Sequence, residues 1–280
     1  MTALTYESTS RFVQVGSTRV HYHEAGEGPA LLCLHGGGAG ANGWSNFGRN
    51  VEGLAQHFRV IVLDLPGYGR SDMPDATSDL NGFHARTVAA MLKELGVERA
   101  HVLGLATGGG VAIRLAVDHP EVLQDLILVS SAGGYATYQL RSERTASQGY
   151  YGGDGPSVEK MRAYLERLVF NTELITDELV RERYEASLNR DSSVRGGKPQ
   201  IVGRHTPPDL WKRLDEIQAR TLIVWGRENR LHSFENAVFM LSRIRRAQLH
   251  IFGECGFWVP YERRDEFNDL VIQFLTAGGR

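Results

Sequence analysis

"HVLGLATGGGVAIRL", residues His101 to Leu115, decides how this chain is to be read. Its first five residues form a short apolar run of the kind shown by a strand buried on both faces. A turn follows at Ala106 and Thr107, then three glycines, then an apolar segment with helical spacing. Strand, tight turn and helix together make a nucleophile elbow, and Gly104 and Gly108 stand two residues either side of its apex, where strand and helix must approach closely. The apex residue is Ala106, which has no nucleophilic atom.

Working outward, apolar runs bounded by turn residues recur at "ALLCLH" (Ala30 to His35), "RVIVLD" (Arg59 to Asp64), "AHVLGL" (Ala100 to Leu105), "DLILVS" (Asp125 to Ser130), "TLIVWG" (Thr221 to Gly226) and "QLHIFG" (Gln248 to Gly253). Each reads as a strand buried on both faces. Helical patterns lie between them, at Phe83 to Leu95, Gly109 to Asp118, Glu235 to Ile244 and Glu262 to Leu275. Strands alternating with helices imply an α/β protein with a mostly parallel central sheet. "RFVQV" and "RVHYHEA" around "GST" read as an antiparallel hairpin at one edge.

Between residues 135 and 208 the alternation stops, and the chain becomes charged and helical in "SVEKMRAYLERLVF" and "TDELVRERYEASL". This segment reads as a helical lid inserted into a core made of residues 1–134 and 209–280. Thr176, followed by Asp177 and Glu178, suits a helix N-terminus, where a hydroxyl and negative charge meet unpaired N–H groups. On that helix Arg183 shares a face with Leu179, Val180 and Ser187, so it points where the helix packs. Ligands of open parallel sheets bind beyond the carboxyl ends of the strands, which is the edge that carries the elbow and that the lid would roof.

Composition narrows the partners. With 31 basic and 33 acidic residues among 280, for a net charge of −2, there is no basic stripe for nucleic acid and no polybasic anchor for a membrane. No apolar run approaches the roughly 18 residues of a membrane-spanning helix, and the first residues carry no uninterrupted apolar segment of a signal peptide. A cytoplasmic protein acting on a small molecule is expected, with homodimer or larger homo-oligomer left open. Cys33 and Cys255 are too few for a disulfide framework or a metal site and read as buried thiols. No metal or cofactor is expected.

The chain resembles the meta-cleavage product hydrolases, α/β-hydrolases that split C–C bonds in vinylogous diketones made by aromatic ring cleavage. The resemblance runs from "MTALTYESTSRFV" to "RRDEFNDLVIQFL" and includes "LHGGGAGANGWSNFGRN", "DLPGYGRSD", "LITDELVRERYEA", "WGREN" and "QLHIFGECGFWV". It implies an α/β-hydrolase fold with a helical lid, and it assigns roles by position. Where the family's elbow reads Gly-Asn-Ser-x-Gly, this chain has Leu105 for the asparagine and Ala106 for the serine. The family's aspartate and histidine correspond to Asn229 and Phe257. Nucleophile, base and orienting acid are therefore all replaced, and serine chemistry requires all three.

Other positions match. The resemblance implies oxyanion donors at the N–H groups of Gly37 and Thr107, a carboxylate- or dienolate-binding arginine at Arg183, a polar pocket residue at Asn46 and a pocket tryptophan at Trp258. Leu105 and Phe257 make the pocket more apolar. Tyr135, Tyr138, Tyr150 and Tyr151 gather at the start of the lid, Tyr135 being taken as a substrate contact, and His232 lies near enough to the Asn229 turn to approach the pocket. Thr107 sits one residue past the apex and is read as a backbone donor rather than a substitute nucleophile.

Loss of the triad with retention of the binding groups leads to an expectation. The chain reads as a non-hydrolytic enzyme that positions a large aromatic or polyketide-like small molecule for C–C bond formation, cyclisation or isomerisation, with oxyanion or enolate stabilisation and no covalent intermediate. Triad-less relatives of this fold in natural-product and antibiotic biosynthesis suggest that setting. Two alternatives stand beside it: a catalytically inactive ligand-binding or receptor-type homologue, and a C–C or ester hydrolase using a substitute catalytic set.

Overall fold

The structure, a computed structural model, describes residues 4–73, 79–135, 149–188, 194–195, 198–199 and 209–277. A one-turn helix α1 (Tyr6–Thr9) leads into the hairpin β1 (Ser10–Val15) and β2 (Thr18–Ala25). Then strands and helices alternate: β3 (Ala30–Leu34), α2 (Gly43–Leu54), β4 (Arg59–Leu63), α3 (Leu80–Glu94), β5 (Ala100–Leu105), α4 (Thr107–Asp118) and β6 (Leu123–Val129). The insertion supplies α5 (Val158–Glu166), α6 (Asp177–Ser187) and a two-stranded antiparallel ladder of β7 (Val194–Arg195) and β8 (Lys198–Pro199). The core resumes with β9 (Arg220–Gly226), α7 (Glu235–Arg243), β10 (Ala247–Phe252), α8 (Val259–Glu262) and α9 (Arg264–Thr276).

The eight-stranded sheet runs β1-β2-β4-β3-β5-β6-β9-β10. Only the β1–β2 and β2–β4 pairs are antiparallel, and every other pair is parallel. The fold is therefore the α/β-hydrolase fold with a mostly parallel sheet. Period-two alternation divides the core between its faces. Leu31 and Cys33 of β3 join Leu103 and Leu105 of β5 on one side, while Leu32 and Leu34 join Val102 on the other. Both cysteines are buried free thiols, and burial pushes Cys33 up to about 12.

Two expectations need correction. β10 is not buried on both faces: as the outermost strand it alternates between half-buried and exposed positions, because only β9 pairs with it. The insertion is not wholly helical, since β7 and β8 pair within it.

The insertion helices begin as their sequence predicts. Ser157 Oγ accepts the Lys160 N–H at the start of α5, and Thr176 Oγ1 accepts the Leu179 N–H at the start of α6. Their apolar faces, Met161, Tyr164 and Leu165 on α5 and Leu179 and Val180 on α6, complete the core on the side of the sheet that holds Leu105 and Ala106. No helix among the described residues is long and apolar enough to cross a membrane.

Candidate active site

The elbow is built although its nucleophile is missing. Ala106 is fully buried and holds φ 49° and ψ −111°, a backbone state that costs a non-glycine residue about 1–3 kcal/mol. Packing enforces it. A Cβ at Gly108 would lie 2.2 Å from the Leu34 carbonyl oxygen, and one at Gly104 would lie 2.5 Å from the Gly108 oxygen. The Ala106 N–H donates to the Val129 carbonyl at 3.0 Å, and the Ala106 carbonyl accepts the Ala132 N–H at 2.9 Å. The apex is thus clamped from both sides to the chain leaving β6.

The turn after β3 faces this apex. A Cβ at Gly36 would stand 3.5 Å from the Ala106 methyl, and one at Gly37 would stand 2.9 Å from both Thr107 Oγ1 and the Tyr68 hydroxyl oxygen. Gly37 and Thr107 therefore come together as their proposed pairing requires. Thr107 is the first residue of α4, so its N–H has no acceptor within the helix.

A small cavity opens beside the turn, with Gly36, Asn46, Tyr164, Arg183, Phe257 and Trp258 in its wall. Arg183 is only 2% exposed. Its Nε and Nη2 donate to the Ala39 carbonyl at 3.1 and 2.8 Å, and Nη1 donates to Ser45 Oγ at 3.3 Å. Its partners among the described residues are neutral, and burial pulls its guanidinium below the usual arginine range, opposed by the nearby Tyr164 phenol and Glu182. The guanidinium carbon lies 5.6 Å from the centre of the Trp258 ring. Asn46 Oδ1 accepts the Gly36 N–H at 3.3 Å, while its amide nitrogen donates to the Asn42 carbonyl at 3.0 Å. The Trp258 indole N–H is buried without a partner among the described residues.

The positions of the missing acid and base carry a different network. Asn229 Oδ1 accepts the N–H groups of Leu231 and His232, both at 2.9 Å, and its Nδ2 donates to Ser130 Oγ at 3.2 Å. Ser130 Oγ donates to the Phe257 carbonyl at 2.9 Å. Behind this, Glu262 holds three amides: Gly256 at 2.6 Å on one oxygen, Phe170 at 2.6 Å and Asn171 at 3.2 Å on the other. Burial raises its carboxyl above the usual range even though these N–H groups favour the ionised form.

Not every expected contact is present. Tyr135 is 49% exposed, its ring packing against Trp211 and Phe239 rather than in the cavity, so it is not a substrate contact. Leu105 packs into the core beneath the turn and does not line the cavity. Tyr138 lies outside the described residues. Tyr150 and Tyr151 are buried beside Tyr164.

Gly36, Tyr164 and Ser130 were missed. Tyr164 had a signal, since it shares a helical face with Met161, Leu165 and Leu168. Ser130 had none, because its importance comes from a backbone φ of 42°. No group of three or more His, Cys, Asp or Glu among the described residues could hold a metal ion.

A sheet with one antiparallel edge, an elbow at the end of β5 and a helical insertion over it define an α/β-hydrolase, and the family model for the alpha/beta hydrolase fold matches residues 29–263. The chain belongs to that family and is close to its meta-cleavage product hydrolases. It is 34% identical over 288 residues to the 2-hydroxy-6-oxo-6-phenylhexa-2,4-dienoate hydrolase of Comamonas testosteroni, covering 98% of this chain and 99% of the relative. Against the 2-hydroxy-6-oxononadienedioate/2-hydroxy-6-oxononatrienedioate hydrolase 1 of Pseudomonas putida it is 33% identical, over 99% of this chain and all of the relative. Among solved structures it superposes on the meta-cleavage product hydrolase CumD of Pseudomonas fluorescens IP01, a serine-to-alanine mutant complexed with acetates, with a TM-score of 0.84 and 30% identity over 96% and 98% of the two chains.

These relatives overturn the reading as a non-hydrolytic enzyme of C–C bond formation, cyclisation or isomerisation, and with it the setting in natural-product or antibiotic biosynthesis. Proteins that match end to end at a third identity are C–C hydrolases by name. Loss of the triad side chains had been read as loss of the reaction, but the triad is only one way to deliver water to a carbonyl.

Proposed function

We propose that this protein is a cytoplasmic C–C hydrolase acting on a 2-hydroxy-6-oxo-dienoate formed by aromatic ring cleavage, and that it works without an acyl-enzyme. Arg183 carries the reading. A buried guanidinium with only neutral acceptors leaves its desolvation cost unmatched, and a substrate carboxylate at the cavity would supply the missing charge in a bidentate pair. The Trp258 indole N–H offers a further donor to the neighbouring oxygen of the same substrate end.

From that anchor the conjugated chain extends over Ala106. There the N–H groups of Gly37 and Thr107 meet the acyl oxygen as it gains charge, a contact of a kind worth about 3–4 kcal/mol per donor. Arg183 takes up charge at the other end when the C–C bond breaks. With a methyl group at the apex the nucleophile is water itself. Residues 135–208 act as the lid that encloses this path, and α5 and α6 form its inner face.

The purified chain should convert 2-hydroxy-6-oxo-6-phenylhexa-2,4-dienoate or 2-hydroxy-6-oxononadienedioate into a carboxylic acid and a hydroxydienoate. The loss of dienolate absorbance and mass spectrometry of the products report it, with no mass added to the protein. Turnover should be orders of magnitude below that of a serine hydrolase. Binding without conversion of either compound, or an acyl adduct on the chain, would show the proposal to be wrong.

A further inference from the structure

The polar network around the vacated acid and base positions ends on one imidazole. His232 is the third residue after Asn229, and its N–H is held by Asn229 Oδ1. Its ring nitrogen Nδ1 lies 3.0 Å from the Ser130 carbonyl oxygen. A carbonyl can only accept, so Nδ1 carries the proton of the neutral ring and Nε2 is its basic atom. The ring stands edge-on to Phe257, with centroids 5.7 Å apart, beside the position where the resemblance puts the family's base.

Ser130 explains why the ring is held there. It is fully buried and has a left-handed φ of 42°, a state that a non-glycine residue keeps only when its surroundings impose it. Its neighbour Val129 accepts the Ala106 N–H, and Ala132 donates to the Ala106 carbonyl. The carbonyl that orients His232 therefore belongs to the short segment clamped to the elbow apex. A base with an oriented tautomer, held next to the reacting position by a third group, is the working arrangement of a triad with different residues.

We propose that His232 is the general base of this hydrolase, an inference that rests on the hydrolase reading above. His232 Nε2 takes a proton from the attacking water while the water oxygen bonds to the acyl carbon, whose carbonyl electron pair moves onto its oxygen. That pair then re-forms the carbonyl, and the bond to the neighbouring carbon breaks. The released pair delocalises into the enone whose oxygens Arg183 faces, and the imidazolium returns its proton to the departing carbon. One water is consumed and one carboxylic acid and one hydroxydienoate are formed. Ser130 and Asn229 are positioning residues.

The experiment compares the full chain with His232→Ala and His232→Gln on 2-hydroxy-6-oxo-6-phenylhexa-2,4-dienoate. Each variant should lose about 10²- to 10⁴-fold in kcat with substrate binding, followed by its spectral shift, unchanged. Imidazole in the buffer should restore part of the rate to His232→Ala and leave the unsubstituted chain unaffected. His232→Gln keeps side-chain bulk and an N–H for Ser130, so it tests the base even if the alanine variant folds poorly. Either variant turning over within about twofold of the parent, or an alanine variant deaf to imidazole, overturns the base and leaves the hydrolase reading standing. A parent chain that converts nothing overturns both.

Discussion

The two ends of the reaction path have kept different things. At the Arg183 end the side chains remain: a buried guanidinium, the Asn46 amide and the Trp258 indole, all on the cavity wall. At the elbow the backbone remains and the side chains have gone, with Ala106 still strained and Asn229 and Phe257 turned to holding loops together. The difference separates two kinds of constraint. The elbow's shape is over-determined by glycines that have no room for a Cβ, so it persists whatever its apex carries. Arg183 gains no such protection from packing, since a buried cation among neutral acceptors costs stability, and its retention points to a ligand.

The comparison can be broken most forcefully at the elbow. If its backbone is intact, Ala106→Ser, Asn229→Asp and Phe257→His together should turn a chain inert to fluorophosphonates into one labelled stoichiometrically at residue 106. Ester hydrolysis should rise about 10³-fold or more, while each single change does little because such residues act as a unit. A folded triple variant that stays unlabelled would show that the backbone has drifted.

Next in size is Gly108→Ala. Glycine to alanine inside a helix ordinarily stabilises by about 1 kcal/mol, but here the new Cβ meets the Leu34 carbonyl oxygen. The expected result is a loss of about 3 kcal/mol or more in chemical denaturation, and a gain would mean that the glycine frame does not enforce the elbow.

At the other end, Arg183→Gln should weaken binding of a dienoate by about 1.5–3 kcal/mol, roughly 10- to 150-fold, as a charge-assisted contact would. Calorimetry at matched salt checks this, and unchanged affinity removes Arg183 from the site. The smallest effect is on strain itself. Ala106→Gly should relieve the apex backbone and raise stability by about 1 kcal/mol, net of the entropy glycine adds to the unfolded chain. A loss in the same denaturation measurement would mean that the methyl packing outweighs the strain.

Much of this was legible in the sequence because it is local and periodic. Five of the six predicted core strands are buried almost throughout, and α6 starts at Thr176 with Arg183, Leu179, Val180 and Ser187 on its buried face. The elbow was legible from two glycines. What periodicity reports is the face a residue shows, not what waits on the other side. Tyr135 stacks on Trp211 and Phe239, Ser130 binds Phe257 from 127 residues away, and Arg183 binds Ala39 from 144 residues away. Those pairings depend on strand order and on the path of the insertion. The reaction was misread for another reason: absent residues show which mechanism is closed, and relatives show which reaction the pocket serves.

Glu262 links roof and floor of the site. Residues 168–171, between α5 and α6, hang from it and from the Trp258 N–H, while the same carboxylate grips Gly256 just before Phe257. The enclosure cannot rise at this corner without tugging the loop that carries Phe257 and Trp258. Admission of substrate and alignment at the reacting carbon are then two readings of one mechanical coordinate, with a single carboxylate as its pivot.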